Sequence, residues 1–370
     1  MAVGDRSGLG GEGGPDPALA DFPLRAPHTR RWCFADQLGP HFLDEPQQPV
    51  LLIESKAVFT RRRFHRQKAH LVLSALRHRA AELGDQADHH RVETYAQALD
   101  RYREPLSVCA PTTWSSRDYV LRRPDLQMLA ARGFVSSQAD FAAWAAGRSR
   151  QRLLMEDFYR DARRRHGILL DGTGPVGGRW NLDEENRQPP PADGRSPAPE
   201  PWWPEEDGID EEVRADLDRW EAAGEVSFVG DDGPRRFPVT RAEALHRLED
   251  FLVNRLAFFG PYEDAMLAGD RWLAHSLLSP AHNLGLLDPL DDVVVRAEQV
   301  YRAGAADGEP LPLNSVEGFV RQVMGWRDYI WHMYWHLGRD FRHANFLGAH
   351  EPVPAWLAEL DDTAVDAACL

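Results

Sequence analysis

The residues best equipped for chemistry lie in the second half of the chain. His275-Ser-Leu-Leu-Ser279-Pro280 reads as a helix start, with Ser279 as N-cap and Pro280 at the first helical position, opening a helix through Asn283 and Leu287. Such a start gathers unpaired N–H groups and a positive dipole end. Two nearby hydroxyls add donors, so the segment offers a site for a diphosphate; plain capping is the competing reading. A helix over 315–337 carries Phe319, Trp326, Tyr329, Trp331, Tyr334 and Trp335. Rings at that spacing usually form core. Their functional reading is a flavin pocket or a chain of redox-active rings, with Gln322 and Arg327 as polar anchors in its wall.

Gly172-Thr-Gly174-Pro-Val-Gly177 matches GxGxxG in form. A dinucleotide fingerprint needs a helix directly afterwards to receive the pyrophosphate, whereas Arg179-Trp-Asn-Leu-Asp-Glu-Glu-Asn-Arg187 runs into Gln188-Pro-Pro-Pro191. The segment therefore reads as a loop, and one that holds Arg179, Trp180 and Arg187 together could touch phosphates and bases. Arg61-Arg-Arg63 with Arg66 and Lys68 reads as a solvated helix face. Arg163-Arg-Arg165-His166 suits a helix C-terminus, where the dipole favours cations. Cys33 and Cys109 fall in strands and read as small core residues. The 15 histidines include no HExxH or comparable metal spacing.

These segments need a scaffold. The chain has 370 residues, 43% of them hydrophobic and 27% charged, which is a globular composition. That length suits about two domains. No apolar run reaches the roughly 18 residues of a membrane helix, and the Gly-rich N-terminus lacks the apolar stretch of a signal peptide. Three scattered cysteines exclude a disulfide framework and argue for a reducing cytoplasm. A net charge of −15 disfavours non-specific coating of nucleic acid, though it leaves room for a local Arg-lined groove.

Residues 1–28 are expected to form a disordered arm. Strands are expected at 31–35, 50–54, 90–94 and 106–110, with helices at 64–83, 138–146 and 151–166. Alternation of that kind gives βαβ units around a parallel sheet, a Rossmann-like α/β domain over 29–166. Residues 167–208 read as a long linker. From about 205 onward every pattern is helical, so 209–370 is expected to be an all-α domain. Thr240 with Glu243 reads as a capping box, and Asn314 with Glu317 repeats the signal. The pattern from Asp361 to Leu370 stops without a C-cap, as in a helical domain cut short.

Taken together, the segments resemble the bacterial iron–sulfur cryptochromes and photolyases, the photolyase-related or prokaryotic (6-4) photolyase-like proteins. The match rests on Asp36-Gln-Leu38, Phe64-His-Arg-Gln-Lys-Ala69, Pro175-Val-Gly-Gly-Arg-Trp-Asn181 and Glu185-Asn-Arg187. It continues through Gly260-Pro-Tyr-Glu-Asp-Ala-Met266, His275 to Pro280, Gly285-Leu-Leu-Asp288, Leu313 to Phe319 and Gly325-Trp-Arg-Asp-Tyr329, covering residues 31–370.

The resemblance implies an antenna domain followed by a helical domain holding FAD, and light-driven repair of pyrimidine photoproducts in damaged DNA. The lesion base must be flipped out, because a stacked base cannot approach the flavin. By position, Ser276 and Ser279 resemble FAD phosphate contacts. Tyr262, His275, Leu277, Leu278, Gln322, Trp326 and Arg327 would complete the cofactor site, and Trp356 stands as an electron-relay candidate. Arg179, Trp180 and Arg187 would face DNA. Cys369 resembles the first of the four cysteines that bind the family's [4Fe-4S] cluster; its partners are absent, so this chain cannot complete the cluster. A lumazine-type antenna is doubtful, since Val58 and Arg61 stand where the family has a carboxylate and an aromatic. The expectation is a cytoplasmic monomer, repairing DNA, with a signalling photoreceptor or an inactive flavin-free fragment as the alternatives.

Overall fold

A computed structural model describes residues 22–149, 152–304 and 311–352. Trp356 and Cys369 lie outside these residues. The first half is built on a five-stranded, wholly parallel sheet: β1 (Arg31–Cys33), β2 (Val50–Ser55), β3 (Ala87–Val92), β4 (Leu106–Cys109) and β5 (Leu126–Leu129), in the order β3-β2-β1-β4-β5. Trp32 pairs with Leu51 and Cys33 with Leu52. Side chains alternate across the sheet. Trp32, Leu51 and Ile53 thus join Val108, Val120 and Leu126 in one core. Cys33, Val50 and Leu52 face the opposite way, into a core that continues to Phe319 and Met324 of the helical half. One apolar cluster therefore spans both halves of the molecule.

The strand and helix expectations hold with shifted limits. The strand expected at 31–35 ends at Cys33, and it opens on a fully buried Arg31 paired with Asp44 at 2.8 Å. The strand expected at 90–94 lies at Ala87–Val92, and Leu126–Leu129 is a fifth strand with no sequence expectation. Order begins before residue 29: Ala26 is buried and its N–H donates to Asp44 Oδ2 at 2.7 Å, so 22–28 is not a disordered arm.

Helix α1 (Arg66–Leu83) packs its Ala69 and Leu73 against Val213 and Leu217 of the second half, while Ala75 and Leu76 face the sheet side. Helix α2 (Met155–His166) closes on Gly167 in the left-handed region, with four basic residues in its last turn. Beyond it, the helical half comprises α3 (Gly208–Ala222), α4 (Arg241–Asp250), α5 (Leu256–Tyr262), α6 (Ser279–Asn283), α7 (Val295–Ala303), α8 (Leu313–Val320) and α9 (Asp328–Leu337). π-Helical turns at Phe251–Arg255 and Arg321–Arg327 join α4 to α5 and α8 to α9.

The second half is not purely helical, contrary to expectation. Phe228–Val229 forms a two-residue parallel strand with Phe64–His65, so the two halves share a small sheet as well as a core. The Thr240–Glu243 capping box is present. The one expected at Asn314 is not: Pro312 occupies the N-cap, and the Asn314 amide instead donates to Asn186 Oδ1 at 3.0 Å.

Candidate functional site

The turn from Asp270 to Pro280 is held in an uncommon conformation. Leu273 and Leu277 have positive φ, 38° and 58°, a region that costs side-chain-bearing residues energy and survives only where the surroundings enforce it. Asp270 Oδ1 accepts the N–H groups of Trp272 and Leu273 at 2.8 and 3.0 Å. Arg255, 1% exposed, enforces the rest. Its guanidinium donates to the carbonyls of Leu273 and His275, and to Pro199 of the interdomain segment. The π-turn makes this reach possible, because Arg255 leaves helical geometry at φ −129°.

Ser279 does not cap the helix that follows. Leu278 occupies that position without a side-chain bond, and α6 ends at Asn283 after five residues rather than running to Leu287. A helix this short carries little dipole, so the anion-binding capacity of the turn lies in its hydroxyls. Ser276 and Ser279, with His275, Leu277 and Leu278, line a cleft of about 690 Å³. The opposite wall is the π-turn Arg321–Arg327, which contributes Gln322, Val323 and Arg327. His275 connects turn and floor: its ring nitrogens lie 3.1 Å from the carbonyl oxygens of Trp272 and Glu263.

A larger cleft of about 1150 Å³ adjoins the first and shares Pro280, His282, Asn283 and Arg327 with it. It opens at the carboxyl ends of β1, β4 and β5, where Asp36, Thr112 and Phe134 line it. Since β1 and β4 are adjacent but connect outward in opposite directions, this is the switch point at which open α/β sheets leave a crevice. Trp326 lines this larger cleft and is 42% exposed. Tyr262 lines neither cleft and lies at the end of α5.

Several residues of the site carry no signal in the sequence. His282, 6% exposed, lines both clefts, and neither ring nitrogen has a hydrogen-bond partner. Burial pushes its pKa down to about 3, so the ring is neutral near pH 7. Arg321 is shared by three carboxylates, at 3.0 Å from Asp183, 3.3 Å from Glu263 and 3.3 Å from Glu317. Burial raises the pKa of both glutamates in spite of that cation. Arg327 donates to Gly133 O at 2.8 Å and stacks over Phe134, fixing the wall of both clefts to the parallel sheet.

The GxGxxG segment forms a hairpin. Leu170–Asp171 pairs antiparallel with Gly174–Pro175, and only a three-residue 3-10 turn, Val176–Gly178, follows in place of an α-helix, in agreement with the loop reading. Arg179 is paired with Glu185 at 2.7 Å and Arg187 with Asp183. The Trp180 ring is covered by Arg163 and Arg164 at 5.0 and 4.7 Å. Each nominated cation of this loop thus already holds a carboxylate. Cys33 and Cys109 are buried in the sheet, and burial pushes the Cys33 thiol up to about 12. The rings expected as a redox chain divide: Trp331 and Trp335 are buried, the former stacked on Phe134 at 3.8 Å, while Tyr334 is 41% exposed. Among the described residues, His78, Asp207 and Asp210 could share an ion; Asp207 caps α3, and none of the three lines either cleft, though Asp210 pairs with Arg235, which lines the larger one.

The model of the deoxyribodipyrimidine photo-lyase-related proteins matches residues 31–227. That span runs from β1 through α3 and exceeds half of the chain. The chain belongs to this family. Among individual photolyase-related proteins, a (6-4) photolyase of Agrobacterium fabrum strain C58 is 36% identical over 347 residues, covering 87% of this chain. The chain spans 65% of that relative's length. An uncharacterized protein, R853, of Acanthamoeba polyphaga mimivirus is 36% identical over 90 residues, 24% of this chain and 62% of its own. The parallel sheet followed by helices agrees with the expected two-part architecture, and no helix among the described residues is long and apolar enough to cross a membrane.

Proposed function

We propose that the chain is a photolyase that binds FAD in the smaller cleft and acts on pyrimidine photoproducts in DNA. The observation that carries this reading is the cleft itself, with two serine hydroxyls on a strained turn facing Gln322 and Arg327. The residues fit a flavin dinucleotide: hydroxyl and guanidinium donors suit a diphosphate, and the adjoining cleft adds the exposed ring of Trp326 for a planar group. When bound, photoexcited reduced flavin would supply the electron that opens the lesion. The chain's own residues would bind and orient. Ser276 and Ser279 would donate to phosphate oxygens, Arg255 would hold their turn, and Arg327 would anchor the wall to the sheet. The working division is an antenna domain at 29–166, a linker at 167–208 and a flavin domain from 209.

Arg179, Trp180 and Arg187 are proposed as DNA contacts. Their pairs with Glu185 and Asp183 would open on binding, each cation exchanging a carboxylate for a phosphate. The [4Fe-4S] cluster does not fit the chain: it has three cysteines, and Cys33 and Cys109 lie buried in strands. No lumazine antenna is proposed, as Val58 packs with Phe59 and Phe228 in an apolar cluster. Illumination of lesion-bearing oligonucleotides with the FAD-loaded chain tests the reading. Restored pyrimidines support repair. A flavin spectrum without repair would favour a photoreceptor of the same architecture.

A further inference from the structure

The basic run between positions 61 and 68 does not lie along one helix face. Helix α1 begins only at Arg66; Arg61, Arg62 and Arg63 form a bend before it, and all three are exposed. The bend is anchored at its end. Phe64–His65 pairs with Phe228–Val229, and the Arg63 guanidinium donates to the Phe228 carbonyl at 2.6 Å. The neighbouring cations are therefore presented from a fixed backbone.

The acids around this bend are already engaged. Lys56 holds Glu93 at 2.6 Å and Glu225 at 2.7 Å. Arg66 holds Glu221 at 2.6 Å and also Asp218. Arg61, Arg62 and Lys68, all exposed, have no carboxylate at ion-pair distance among the described residues. Arg62 and Lys68 instead flank one ring, at 4.8 and 5.7 Å from the centre of Phe64. The chain has 58 acidic against 43 basic side chains, so the gap does not come from a shortage of acids. Cations gathered in this way repel one another, and an outside anion relieves that repulsion.

The surroundings of the patch select among anions. The adjoining cleft, about 420 Å³, is lined by Arg62 and Arg63 but also by Glu221 and Glu225, which makes it a poor seat for a small free anion. A membrane surface requires apolar side chains beside the cations, and none of the large exposed hydrophobics lies between 56 and 68. A phosphate backbone requires neither a pocket nor an apolar group. Exposed cations on a fixed bend suffice, and each contact releases counterions.

We infer that Arg61, Arg62 and Lys68 form a DNA-backbone contact on the α/β half, additional to the 179–187 loop, which holds damaged and undamaged duplex alike. The inference rests on the DNA reading and extends it by a contact that carries no lesion specificity.

The test is fluorescence anisotropy of the full chain with an undamaged and a lesion-bearing duplex of equal length, over a series of salt concentrations. Arg61→Gln, Arg62→Gln and Lys68→Gln together should flatten the slope of log affinity against log salt by about 2–3, at roughly 0.9 per lost phosphate contact. Affinity for the undamaged duplex at low salt should fall about tenfold or more, while the ratio between the two duplexes stays the same. Arg61→Lys with Arg62→Lys, which keeps both charges, should retain the wild-type slope. An unchanged slope in a triple variant whose melting temperature matches the wild type overturns the contact. So does a triple variant that loses binding to vesicles of phosphatidylserine and phosphatidylcholine with its DNA slope unchanged, since the patch is then a membrane contact. If the triple variant keeps the wild-type slope while Arg187→Ala reduces it, the DNA reading stands and this contact falls. A wild-type chain with no affinity for either duplex overturns both.

Discussion

The backbone N–H of Ser136 donates to Asp328 Oδ2 at 2.6 Å, and that of Val135 donates to Oδ1 at 3.1 Å. One fully buried carboxyl on α9 thus grips the loop that leaves β5 and holds the helical half against the sheet. Arg327, the next residue back, binds Gly133 of the same loop. The two contacts fix the wall common to both clefts.

Burial lifts the Asp328 carboxyl from 3.8 to about 6. The folded chain therefore holds this proton more tightly than the unfolded chain does. The stability associated with it is complete below the lower value and is lost as pH rises through the higher one. Urea unfolding of the wild type and Asp328→Asn should diverge in that window, with the variant showing the flatter pH dependence. Asp328→Ala, which strands two buried N–H donors, should cost about 2–4 kcal/mol at neutral pH.

The buried imidazole of His282 has the opposite sign. Its pKa is depressed from 6.5 to about 3, so only the unfolded chain takes up a proton as pH falls below the higher value. Between about pH 8 and about pH 5 this should remove roughly 2 kcal/mol of stability. His282→Leu should lessen that loss in the same unfolding series. An unchanged acid slope would mean that His282 gains a proton-stabilising partner in solution.

Arg255→Lys keeps the charge but loses the fork that spans the carbonyls of Pro199, Leu273 and His275. The variant should be destabilised by about 2–4 kcal/mol, since buried carbonyls lose their donor. If the fork also positions the serine turn, FAD affinity should fall and Ser276→Ala should cost less in the variant than in the wild type. Additive losses would confine Arg255 to a stabilising role.

How much of this could be read beforehand depended on whether a residue's partners were near in sequence. The Thr240–Glu243 box was legible because both halves of the motif lie within one turn. Ser279 and Asn314 carried comparable signals and did not cap. The first begins a helix of a single turn, and the second is drawn away by Asn186 across 128 positions. Val50–Ser55 was legible from its apolar run, whereas Leu126–Leu129, with Gln127 turned outward, offered no such pattern. In the candidate site, the serines and Arg327 could be nominated by type and spacing. Arg255, Arg321 and Glu263 could not, because their roles come from carbonyls and carboxylates brought together only by folding.

Arg187→Ala should weaken binding to lesion-bearing duplex and reduce the slope of log affinity against log salt by about one. The loss should be moderate, since Arg187 must first leave Asp183. Asp183→Asn, which frees the cation, should shift affinity the other way. Titrations at several salt concentrations measure both, and parallel salt slopes for wild type and Arg187→Ala would remove Arg187 from the interface.

The most direct measurement is flavin uptake by the purified chain, read from its visible absorption after incubation with FAD and removal of unbound ligand. A yellow protein holding about one flavin per chain is expected, with at least tenfold weaker retention when Ser276 and Ser279 are both replaced by alanine. A folded wild-type chain that stays colourless, or a double variant that holds FAD as tightly as the wild type, would contradict the FAD reading.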